Sequence, residues 1–121
     1  MNKKRVNDWI PVAKQALMKF EIADKNGKII KTYRGQISTF GAAVTMGSLP
    51  AAVAFFSEKN KSTVERDKLI KAAYYCITEE EASAEDILDK VCRNPNEYRE
   101  KFIDASIALK LAMNFFELVK E

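Results

Sequence analysis

The chain has 121 residues, the size of one domain, and can bury a core without disulfides or a metal. Hydrophobic residues make up 47% and charged residues 31%, with only four Gly and three Pro, which excludes low-complexity sequence and long linkers. The chain has no histidine, so Ser-His-Asp and Cys-His nucleophile arrangements are excluded.

The net charge of +3 is unevenly spread. Residues 1–72 hold 14 Lys/Arg against 6 Asp/Glu, and residues 73–121 hold 6 against 11. A basic first half suits a polyanion partner, and an acidic second half allows attraction between copies. The plain alternative is uneven charge on a solvated surface.

The basic start Met1–Arg5 leads into the amphipathic Val6–Ile10 rather than an apolar run, so no secretory signal is expected. Gly41, Gly47, Ser48 and Pro50 break the longest apolar stretch, so no membrane span is expected and the cytoplasm is the expected location. Cys76 and Cys92 form no CxxC pair. A bridge between them is geometrically allowed, but two buried or half-buried thiols are the expectation.

No sustained apolar/polar alternation marks a strand; helical spacing recurs instead. A first helix is predicted over 4–24 from Val6, Trp9, Ile10, Ala13, Ala16, Leu17 and Phe20. Pro11 should kink it or mark a first turn near Ile10. Asp24-Lys25-Asn26-Gly27 reads as a turn with Gly27 left-handed.

A second helix is predicted over 28–46, with Ile30, Tyr33, Ile37, Phe40 and Val44 in one stripe. Gly35 and Gly41 are tolerated in a helix interior where a neighbouring backbone comes close, and Gly47 suits the helix end. A third helix over 49–59 follows the cap residue Ser48, with Pro50 in its first turn, and is apolar almost all round.

A fourth helix is predicted over 63–77 behind a capping box at Ser62–Glu65. Glu79-Glu80-Glu81 reads as an exposed link; these acids lack the spaced Asx/Gly loop that would aim them at one cation. Ser83 caps a short fifth helix over 84–93. The sixth is the longest, from Asn94-Pro95 through Val119. Its first stripe is Tyr98, Phe102, Ala105, Leu109, Ala112, Phe116 and Val119; a second, Ile103, Ile107, Leu111, Phe115 and Leu118, belongs to the bundle or to another subunit. The expected fold class is therefore an all-α, single-domain bundle of about six helices spanning 1–121.

No GxxxxGK[ST] or GxGxxG is present, and no cofactor is expected. With no histidine for general acid–base work, the expectation is a protein that is not an enzyme. Basic patches remain. On the fourth helix Lys68, Lys71 and Tyr75 fall nearly opposite the apolar positions, an arrangement suited to phosphates and a stacked base. Lys28, Lys31 and Arg34 lie beside the second helix's stripe, and Lys59 and Lys61 sit in the link before the fourth helix. Each patch can also be read as a solubilising face, with Tyr75 packed on a neighbour.

Tyr33 followed by Ile37-Ser38-Thr39-Phe40-Gly41, and then Met46 through Phe56, resembles the small subunit of the Cmr complex, the type III-B CRISPR effector. Gly47 and Leu49 are here separated by Ser48, with Pro50 following. The resemblance extends over most of the chain through the helix order and the long C-terminal helix. It implies a six-helix bundle without nuclease activity, present in several stacked copies. It also implies contact with guide and target RNA, and neighbours from the backbone and large-subunit families. The matching residues are mainly apolar, so the eight candidate RNA-binding residues rest on their own chemistry. Two other readings stay open: a protein-only helical adaptor, and the small subunit of a related type III-A or type I effector.

Overall fold

The computed structural model describes residues 1–58 and 64–121. Six helices and a two-stranded parallel ribbon surround one core. In chain order these are α1 (Lys3–Lys19), β1 (Lys28–Ile30), α2 (Thr32–Met46), α3 (Leu49–Phe56), α4 (Asp67–Thr78), α5 (Ala84–Arg93), α6 (Pro95–Ala112), a 3-10 turn (Met113–Phe115) and β2 (Glu117–Val119). The all-α bundle is as the periodicity predicts.

Asn2 starts α1: its side-chain oxygen accepts from the Arg5 amide, satisfying an otherwise orphaned donor. Pro11 sits inside the helix, which neither begins nor ends there. Val6, Ala13, Ala16 and Leu17 are buried. The predicted end at 24 is too late, because Glu21 turns left-handed at φ 57° and the Ile22 and Ala23 amides both return to the Leu17 carbonyl.

The predicted turn at 24–27 is present. The Asp24 carboxylate accepts from the Asn26 and Lys28 amides, and Gly27 takes φ 76°. The chain then leaves the turn extended. Lys28, Ile29 and Ile30, predicted as helix, pair in parallel with Glu117, Leu118 and Val119. The sixth helix accordingly stops at Ala112 rather than Val119. Three residues per strand are too few for periodicity to reveal, and the partner that stabilises each lies at the other end of the chain.

Ser48 caps α3 by accepting from the Ala51 amide, and Ser83 caps α5 by accepting from the Asp86 amide. Asn94 makes no such side-chain bond at the start of α6. The third helix ends at Phe56 rather than 59, and α4 begins at Asp67 rather than 63. Ser62 and Thr63 of the expected capping box lie outside the described residues, and the Glu65 amide donates instead to the Tyr33 hydroxyl.

The core's largest fully buried side chains include Tyr74, Phe40, Phe102, Leu17 and Ile29. Phe40 meets Phe56 and Phe102 edge-on, tying α2, α3 and α6 together. Gly41 marks a close approach: a Cβ there would lie 2.9 Å from the Ser106 hydroxyl of α6. Gly35, in contrast, faces open space and does not serve packing. Cys76 is buried and Cys92 exposed, both as free thiols, so the expectation of two sheltered sulfurs holds only for Cys76. Burial alone pushes the Cys76 thiol up to about 12. Among the described residues no helix is long and apolar enough to cross a membrane.

Candidate nucleic-acid interface

Three of the candidate basic residues come together at the ribbon end of the molecule. Lys28 lies on β1, Lys31 is the residue after it, and Arg34 is in the first turn of α2. The chain's C-terminal segment closes against them. The Lys31 amide donates to the Val119 carbonyl at 2.7 Å, and the Arg34 guanidinium donates to the Asn114 side-chain oxygen. Phe115, the next residue, is 66% exposed, and the Lys14 ammonium of α1 lies 4.7 Å from its ring centroid.

The local charge is basic on balance, with Asp24 and Glu117 set among the bases. Lys25, Lys31 and Lys120 are exposed with no ion-pair partner among the described residues. Lys28 approaches Glu117 at 3.7 Å, but both side chains are exposed, and such a pair is held weakly. The Asp24 carboxyl is held below its ordinary range chiefly by the Lys28 amide, with help from the Lys28 and Lys25 charges, so it stays ionised beside them. The result is a cluster of cations around an exposed aromatic ring, the combination that neutralises phosphates and stacks bases.

The stripe expected on α4 is different in kind. The Lys68 ammonium is 3.1 Å from the Glu65 carboxylate and also donates to the Glu21 carbonyl. Partial burial pulls its pKa down, but Glu65, Tyr33 and Glu21 outweigh that and leave it raised. Lys71 is 3.4 Å from Asp67. Tyr75 is not a free stacking surface: it is half-buried and its ring meets Phe20 edge-on at 5.9 Å. Helical spacing places these three residues on one face, as expected, but acids on the preceding turn and an aromatic from the end of α1 occupy it. Lys59 and Lys61 lie outside the described residues.

Lys14, Asn114 and Phe115 are absent from the sequence-derived set. Phe115 belongs to the second apolar stripe, and only the break of α6 into a 3-10 turn brings it beside Arg34 and Lys14. Two other members of that stripe, Ile103 and Ile107, are half-buried in a groove of about 400 Å³ between α2 and α6, opposite Ile37, Gly41 and Met46. Among the described residues no group of three or more His, Cys, Asp and Glu is placed to hold a metal ion.

An acidic run lies elsewhere in the chain, and one of its members, Glu81, pairs with Lys19 at the end of α1 at 3.3 Å. Residues 79–89 contain six acids and no base. The helix α5 is held beside the start of α6 by the Lys90 ammonium, 2.8 Å from the Tyr74 hydroxyl, and by Tyr74 against Tyr98. The basic cluster lies past the other end of α6, whose 18 residues span ~27 Å. No family model matches this chain, and no curated protein or solved structure does.

Proposed function

We propose that this chain is a non-catalytic structural subunit of an RNA-guided effector, the small subunit of a type III-B CRISPR complex acting in the cytoplasm. Several copies stack along the complex, between its backbone and large subunits, and turn basic surface toward guide and target RNA. The observation that carries this reading is the exposed ring of Phe115 at the ribbon end, with Lys14 over it and Arg34 bonded to the neighbouring Asn114. Such a cluster suits a polyanion, and the acidic run at 79–89 offers charge to the basic surface of a following copy. The resemblance of residues 33–56 to the Cmr small subunit supports the more specific assignment.

Fluorescence anisotropy with single-stranded RNA tests the RNA arm. Affinity should fall linearly with salt on logarithmic axes, and K31E/R34E should weaken binding and flatten the slope. No binding at low salt would refute it.

A protein-only adaptor is the second reading, and the groove between α2 and α6 favours it. That reading calls for salt-insensitive capture of a partner helix and no RNA binding. A type III-A or type I small subunit would share the RNA result, and the genes beside this one distinguish it.

A further inference from the structure

We propose that Phe115 is a stacking platform for an unpaired base of single-stranded RNA, with Lys14, Lys31 and Arg34 engaging the phosphates on either side. This rests on the RNA-contact reading and assigns it a specific subsite. Phe115 is placed outward on its turn. Met113 and Phe116, which flank the same turn, are buried and half-buried, whereas Phe115 is two-thirds exposed. The core therefore gains little from an aromatic here.

The ring is also preorganised. Phe115 stands between the end of α6 and β2, in a turn closed by the Phe116 amide bonding to the Met113 carbonyl at 3.1 Å. The ribbon anchors the C-terminal side of this turn: the Glu117 amide donates to the Gly27 carbonyl at 3.0 Å. A ring mounted this way loses little freedom when a base lies on it.

Cations lie close to it. The Lys14 ammonium sits over the ring at 4.7 Å, and Arg34 is tethered through Asn114, one residue away. The Lys31 backbone amide bonds to the Val119 carbonyl of the same segment, and its side chain is exposed. Lys14 from α1 and Arg34 from α2 thus meet at one short segment that bears an exposed aromatic. An apolar protein partner at this position would have to desolvate them without compensation, whereas a nucleotide supplies both a π-face for the ring and an anion for the cations.

The full chain is titrated with a short oligouridylate at low salt and photocrosslinked to the same strand carrying 5-iodouridine. The crosslink should map to Phe115. F115L should lower affinity roughly five- to a hundredfold, and F115Y should retain binding. A melting curve for each variant confirms that the fold persists. If RNA binds but F115L is unchanged and crosslinks map elsewhere, the platform is overturned while the RNA-contact reading survives. If no RNA binds, both fall. Saturable capture of an apolar peptide at Phe115 without RNA binding would likewise overturn the platform in favour of protein docking.

Discussion

The Arg5 guanidinium meets the fully buried Asp104 carboxylate at 2.6 Å, joining the first turn of α1 to the middle of α6. Its Nε donates to the same oxygen at 2.8 Å, and the Asn2 amide adds a third bond at 3.3 Å. The other oxygen, Oδ1, has no partner. A buried carboxylate with one side unsatisfied depends heavily on the cation it has. Arg5→Met should therefore cost ~3 kcal/mol in urea denaturation, toward the lower end for a buried pair because Arg5 is partly exposed. Arg5→Met combined with Asp104→Leu should recover much of that loss. Equal losses in the single and double variants would show that the unpaired Asp104 carboxylate is not the source of the cost.

The two interior glycines of α2 should respond in opposite directions to alanine. Nothing lies within 4 Å of a Cβ at Gly35, so Gly35→Ala should stabilise the fold by about 0.5–1 kcal/mol through helix propensity alone. At Gly41 the added methyl meets the Ser106 hydroxyl at 2.9 Å, and that hydroxyl already donates to the Ile103 carbonyl. Gly41→Ala should lower the melting temperature, and adding Ser106→Ala should restore it.

Much of this architecture is legible in the sequence because it arises from local periodicity. The apolar stripes of α1, α2 and α6 and the caps at Ser48 and Ser83 need only neighbouring residues to define them. The ribbon is not legible, because Ile29 and Leu118 become strand only by finding each other across the whole chain. The site divides in the same way. Lys28, Lys31 and Arg34 stand out as a run without acids, but Lys14 and Phe115 join them only through tertiary packing. Lys68 and Lys71 look available on a helical projection that carries no information about Glu21 or the rotamers of Glu65 and Asp67.

The basic patches should therefore differ in RNA binding. K31E/R34E should reduce affinity by at least tenfold at low salt, with a shallower salt dependence. K68E/K71E should reduce it less, because those ammonium groups must first leave Glu65 and Asp67. Anisotropy titrations at two salt concentrations would rank the two variants, and the reverse order would move the interface to α4.

The cysteines give a probe of folding. A thiol reagent near neutral pH should modify one thiol, Cys92, in the native protein and both after denaturation. Because the Cys76 thiol is raised from 9.0 to about 12, the unfolded state loses its proton first, and stability should fall as pH rises above about 9. Fast native labelling of Cys76 would mean that α4 opens readily.

Affinity purification of the tagged, full-length chain from its native host tests the central claim most directly. The account predicts recovery in a large particle containing a guide-length RNA and several other effector subunits, with more than one copy of this chain per RNA. Recovery as a free monomer, or with a protein partner and no RNA, would contradict it.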